Sequence, residues 1–209
     1  MPRLGPKGLF WGGLLIGMTI FCLLFPPIRI VSLEAVQESK EREAFHPDAF
    51  VQSLIDQELP RALKKAADIQ AVLEPATRQL HARKWGIGDS IYFLVSGSAR
   101  VRAIEGDEVH ARLAGEEDGF EVVLVTDHIF GNVLRNSLGL VNPSDFPNSQ
   151  DLNSISIALN KRISREVLAP FREEVSPGAL IRFVACTELS TDAKSLESLK
   201  VIPVQISVE

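Results

Sequence analysis

The sequence predicts an α+β protein: an N-terminal transmembrane helix, a small helical subdomain, then an OB-like five-stranded barrel with a helix between strands 3 and 4. Three observations predict it. An uncharged apolar run opens the chain, a stretch of three- and four-residue apolar spacing follows, and five β-rich segments complete it, with one long helical stripe between the third and the fourth. The boundaries that follow are 1–32 for the anchor, 33–88 for a stalk and helical subdomain, and 89–209 for the OB-like domain.

No charged residue lies between Gly8 and Ile28, and Gly8 to Phe25 is almost wholly apolar. That length matches the roughly 20 residues a helix needs to cross hydrocarbon. Arg3 and Lys7 precede the run, which favours a cytoplasmic N-terminus and an exported remainder; Trp11 suits the interface, and Pro26-Pro27 stops the helix. Phe25 to Glu34 offers no small-residue cleavage site, and bulky Phe21 stands before Cys22 where a lipidation signal wants a small residue. The expectation is an uncleaved, single-pass anchor in the bacterial inner membrane with the soluble domain in the periplasm, and no lipid at Cys22.

The 209 residues carry 22 cations and 27 acids. Three of the cations and none of the acids fall within residues 1–32, leaving 19 against 27 beyond them, a balance of −8. An acidic soluble part repels phosphate, which argues against a nucleic-acid partner. Hydrophobic content of 45% favours a packed core over a disordered chain. Cys22 and Cys186 lie in an apolar segment and a predicted strand and do not suit one another as a disulfide pair.

Pro47 and Asp48 mark a helix start, and Phe50, Val51, Leu54, Ile55, Leu59, Leu63, Ala66, Ile69 and Leu73 extend it as one amphipathic helix kinked at Pro60 and closed by Pro75. A second short helix is expected over 77–84, ended by Gly86 and Gly88. Strands follow at 91–104, 109–113 and 120–126, the first two joined by the Gly-first hairpin turn Gly106-Asp107. Leu152, Ile155, Leu159, Ile163 and Val167 predict a helix stopped near Pro170, its stripe packed on the barrel; strands at 180–187 and 201–208 finish the chain. Three meandering strands, a helix-bearing crossover and two more strands is the order of an OB-type barrel.

Chemistry is sparse. His46, His81, His110 and His128 have no His or Cys at metal-ligand spacing, so no metal or cofactor is expected. Gly86-Ile-Gly88 lacks the lysine and helix start of a phosphate cradle, and Glu116-Glu117-Asp118 reads as a solvated hairpin tip. The connection after the third strand is the exception. It is long for a barrel connection, and it gathers Asp127, His128, Asn132, Arg135, Asp145 and Asn148, with Asn160 on the helix beyond. These seven are the candidate ligand- or partner-binding residues. Asp127 beside His128 is the arrangement that orients an imidazole as a base, yet no nucleophile stands nearby in sequence. Ordinary roles compete at each position: Asp127 or Asn148 as helix caps, Arg135 paired with Asp145.

At this point the chain resembles a bacterial family of predicted periplasmic lipoproteins with a domain of unknown function (domain-of-unknown-function family 2291), over roughly residues 46–209. The residues that carry the resemblance are Phe50-Val51 through Leu59-Pro60 with Ala67-Asp68, Tyr92-Phe93-Leu94-Val95-Ser96-Gly97, then Gly131, Leu134-Arg135, Leu138, Asp145-Phe146, Asn148 and Ala158-Leu159-Asn160, and finally Pro203-Val204. The resemblance implies export, a helical subdomain with an OB-like barrel, and an accessory role beside sugar ABC-transporter components; it implies no activity and no catalytic residue. The chain departs from the family pattern at Phe130, where arginine is expected, at Asn132 for threonine and at Ser149 for glutamine. The functional expectation is a membrane-anchored periplasmic binding or accessory protein with no catalytic residue, partnered by the inner membrane and by sugar ABC-transporter components. The alternative is a periplasmic hydrolase or lyase built on Asp127 and His128.

Overall fold

A computed structural model describes residues 45–209, apart from Ile87, residues 116–118, Pro147 and residues 194–195. The anchor expected at 1–32, Cys22 and most of the stalk lie outside the described residues. Among the described residues, no helix is long and apolar enough to cross a membrane. Residues 46–209 form one compact unit.

Helix α1 (Pro47–Gln57) starts with proline in its first turn and Asp48 beside it. The single kinked helix expected as far as Leu73 is instead three pieces: α1, α2 (Leu59–Leu63) and α3 (Ile69–Leu73), with a two-residue strand β1 (Ala67–Asp68) between the last two. The reason is local. Pro60 sits in the first turn of α2, where its missing N–H costs nothing, and the Asp68 side chain accepts from the Gln70 N–H and caps α3. Helix α4 (Pro75–His81) is followed by a second short strand, β2 (Arg83–Lys84), so the chain turns extended before the expected glycines. Arg78 is buried and fixes this layer by donating to the main-chain oxygens of Val72, Leu73 and Ala193.

The barrel is built from β3 (Ser90–Glu105), β4 (Glu108–Leu113), β5 (Glu121–Val125), β6 (Leu180–Ser190) and β7 (Ser198–Val208). Its order is β3-β4-β5-β7-β6, closed by β6 on β3, with β5 and β7 parallel and the other pairs antiparallel. At 16 residues, β3 is long enough to pair with β6 along Ser90–Arg100 and with β4 from Ala99 onward. Glu105 pairs with Glu108 across the two-residue turn, where Gly106 has φ +58°, as the Gly-first sequence predicts. Ile91, Phe93, Val95, Ala99 and Val101 alternate inward on β3 and meet Val109, Ala111, Val122, Leu124, Ile181, Phe183, Leu199 and Val201 in one core. Gly97 keeps the same parity. A Cβ there would lie 3.0 Å from Ile69 Cγ2 and 3.1 Å from Phe183 Cζ, so the absent side chain is what lets α3 close on the barrel.

Between β5 and β6 run α5 (Val133–Leu138), a 3-10 turn (Pro143–Asp145), α6 (Ser149–Ile163), a π-helical turn (Ser164–Leu168) and α7 (Ala169–Glu174). Two expectations need correction. Pro170 does not end the helical run. The Ala169 N–H reaches back to the Ser164 oxygen, and the wider π turn lets proline enter the first turn of α7. Ile155, Leu159 and Ile163 are buried, but outside the barrel's core cluster: α6 packs chiefly on α1 and α5, because α5 already covers β3 and β6 with Leu134 and Leu138.

Candidate functional site

Thr126 closes β5 by donating its N–H and its hydroxyl to the Asp107 oxygen, at 2.8 and 2.9 Å. This pins the end of the strand to the β3–β4 turn and brings Asp127 beside Asp107. Arg172 of α7 reaches in with Nη1 3.0 Å from Asp127 Oδ2 and 3.8 Å from Asp107 Oδ1. His128 Nδ1 stands 3.2 Å from Asp127 Oδ1. One ligand atom from each of Asp107, Asp127 and His128 falls within 4.8 Å of the others. The Arg172 guanidinium already supplies positive charge at both carboxylates, and the arrangement is an ion-pair cluster at the barrel's end.

The next residues form a loop gripped by α6 and the π-helical turn that follows it. Asn160 and Ser164, one helical turn apart, face it together. Ser164 Oγ donates to the Asp127 oxygen at 3.2 Å. Asn160 Nδ2 donates to the Ile129 and Gly131 oxygens at 3.3 and 3.1 Å. Two carbonyls at one end of the amide fix its orientation, since a flipped group would set oxygen against oxygen. The other end, Oδ1, is buried and has no hydrogen-bond partner. Asn160 itself is 7% exposed. Gly131, with φ +75°, turns the chain toward α5, and Ile129 tucks under while Phe130 stands out at 78% exposure. The Phe130 and His128 rings are near parallel, 10° apart in plane, with centroids separated by 6.1 Å.

Loop and helix enclose an open groove of about 800 Å³. Its floor is Asn160 and Ser156, one wall is the loop from Asp127 to Asn132, and the other is Asn153, Ile157 and Lys161 of α6 with Arg165 of the π-helical turn. Ile157 is 67% exposed, an apolar side chain on the wrong side of its helix for packing. A smaller cavity of about 310 Å³ lies across the loop, between His128, Phe130 and the β6 and β7 side chains of Cys186, Thr187 and Lys200. Burial raises the Cys186 thiol to about 12, so it stays neutral there.

The structure thus brings Asp127, His128, Asn132 and Asn160 to one groove and leaves three candidates elsewhere. Arg135 lies behind it, 8% exposed, donating to the Leu152 oxygen at 2.8 Å, to Ser156 Oγ at 3.0 Å and to Asn136 Oδ1 at 3.3 Å. Burial lowers its pKa from the usual guanidinium value. It makes no pair with Asp145, which instead accepts from Asn142 Nδ2 at 3.4 Å on the 3-10 turn. Asn148 caps α6 through the Gln150 N–H, at 2.8 Å. Asp127 caps no helix; Asn132 holds the N-cap position of α5, without a side-chain cap bond. Sequence reading missed Asn153, Ser156, Ile157, Lys161 and Arg165. The signal was present: at spacings of three and four they trace a second stripe along α6 and into the π-helical turn, beside the buried one.

The comparisons with known proteins bear on the fold and the family. No curated protein matches the chain. Among solved structures, the chain is similar to an OB-fold protein from Thermotoga maritima, with a TM-score of 0.70 at 23% identity, covering 79% of this chain and 99% of that one. The likeness establishes the barrel fold that the strand order describes. Residues 18–207 match the family described as "Predicted periplasmic lipoprotein (DUF2291)", and the chain belongs to that family.

Proposed function

We propose that the chain is a membrane-anchored periplasmic binding protein whose ligand site is the groove between the 127–132 loop and α6, serving as an accessory to a sugar ABC transporter. One observation carries the groove: a buried, orientation-locked Asn160 amide whose acceptor end has no partner, at the floor of an open groove beside exposed Phe130. Buried polar atoms are almost always satisfied, and the exceptions tend to mark sites. The periplasmic setting is supported by the family description, and the transporter link by the family resemblance.

The alternative, a hydrolase or lyase using Asp127 and His128, is favoured by their 3.2 Å contact. Against it, the groove's hydroxyls are directed elsewhere: Ser164 donates to the Asp127 oxygen, and Ser156 donates to the Leu152 oxygen at 3.1 Å while accepting from Arg135. Among the described residues neither is hydrogen-bonded to His128, as a nucleophile and its base require.

A photo-crosslinking residue at Phe130, in the full chain in native membranes, tests the reading, with Leu80 as a control at matched exposure of 79%. Products specific to position 130, identified by mass spectrometry, are expected. Identical products from both positions would remove the groove as the site. Recovery of transporter subunits among the specific products supports the accessory role, and their absence there would count against it.

A further inference from the structure

The groove has a chemistry of its own, and we infer that its ligand is a small organic anion with a flat apolar body and a hydroxyl or N–H donor. The inference rests on the proposed binding site and names what that site selects.

Each part of the ligand answers a feature of the wall. The acceptor is Asn160 Oδ1. Its amide cannot turn, because Nδ2 is held by the Ile129 and Gly131 oxygens, so only a donor satisfies it. A ligand with that donor supplies the partner the buried acceptor lacks, and one without it gains nothing there. The apolar body is set by Phe130 and Ile157, which face the groove with most of their surface in water, 78% and 67% exposed. An aromatic ring prefers a flat partner in offset or edge contact.

The charge is set by the balance of lining residues. Lys161 near the end of α6 and Arg165 in the π-helical turn, four residues apart, both line the groove. Lys161 is exposed and has no ion pair among the described residues. Arg165 meets Glu166 at 2.8 Å, but Glu166 is not part of the groove wall. The one lining carboxylate, Asp127, is engaged by Arg172 at 3.0 Å. With Asp127 engaged by Arg172 and Arg165 by Glu166, the Lys161 ammonium is the charge left to favour an anion, and the volume of about 800 Å³ lies within the usual range of small-molecule sites. The −8 balance of the exported part makes this cationic corner a local exception to its surface.

Three matched probes separate the features: 4-hydroxyphenylacetate, phenylacetate without the hydroxyl donor, and methyl 4-hydroxyphenylacetate without the charge. Titration calorimetry on the full chain in nanodiscs, at low ionic strength, should show binding of the first. Each of the other two should bind about tenfold more weakly. Lys161→Gln should bring the acid and the ester toward equal affinity. Phe130→Ala should weaken all three together. Both side chains are exposed, so both variants should melt as the parent does. No binding of 4-hydroxyphenylacetate, equal binding of the three probes, or indifference to both substitutions would overturn the inference. If crosslinks specific to position 130 form while the probe series fails, the ligand class is wrong and the groove stands. If both fail, the groove itself is not the site.

Discussion

Asn160 holds the site together at the scale of one residue. Its donor end is the structural half, tying a loop that is otherwise held through Ser164 of the π-helical turn, and its acceptor end is buried with no hydrogen-bond partner among the described residues. Asn160→Asp separates the two. A carboxylate has no N–H for the Ile129 and Gly131 oxygens and sets like charge against them. The variant should lose about 1–3 kcal/mol of stability to denaturant. Hydrogen exchange should rise first at residues 129–132, ahead of the barrel strands. Uniform protection in that loop would show that the amide is not its latch. Cys186 gives a second test at this scale. Fully buried and pushed up to about 12, its thiol has almost no thiolate at neutral pH. It should resist iodoacetamide in the folded chain and react on unfolding; fast labelling of folded protein would show that the small cavity beside the loop opens readily.

At the scale of elements, α6 carries both packing and chemistry, on adjacent stripes. Leu159 is 4% exposed between α1 and α5, so Leu159→Ala should cost about 2–5 kcal/mol in chemical denaturation, with Phe130 crosslinking falling only as folded protein falls. Asn148→Ala removes the α6 cap and should cost about 0.5–2 kcal/mol without changing the probe selectivity of the groove. The barrel was legible in the sequence because period-two alternation and the turn Gly106-Asp107 are local signals, and the strand order then follows from the crossover. The break after Leu63 was not, since the apolar spacing runs on through Ala66 and Ile69, and only the Asp68 cap and β1 pairing on β3 reveal it. The site was half legible. Asp127, His128, Asn132 and Asn160 stand out as polar groups in a long connection. Arg135 and Asn148 stand out equally but are spent on Leu152, Ser156 and Gln150, partners that no spacing rule identifies.

At the scale of the whole molecule the open matter is how the chain meets the membrane. The family description says lipoprotein, and the matched region begins at residue 18, four residues before Cys22. The residues around Cys22 point the other way. Phe21 is bulky where processing before a lipidated cysteine wants a small side chain, and Gly8 to Ile28 is uncharged over a length that spans hydrocarbon without help from a lipid. Arg3 and Lys7 ahead of that run favour an N-terminus on the cytoplasmic side if it spans. The chain should therefore leave the membrane fraction only with detergent and retain its first residues. Its mass should stay near the full 23.0 kDa. A periplasm-dependent reporter fused after Glu209 should be active, and Cys22→Ser should change neither mass nor membrane retention. A mature chain starting at a diacylated Cys22, lost in the serine variant, would instead place the protein among lipid-held members of its family. The groove, built from residues 127–165, would be unaffected by that outcome.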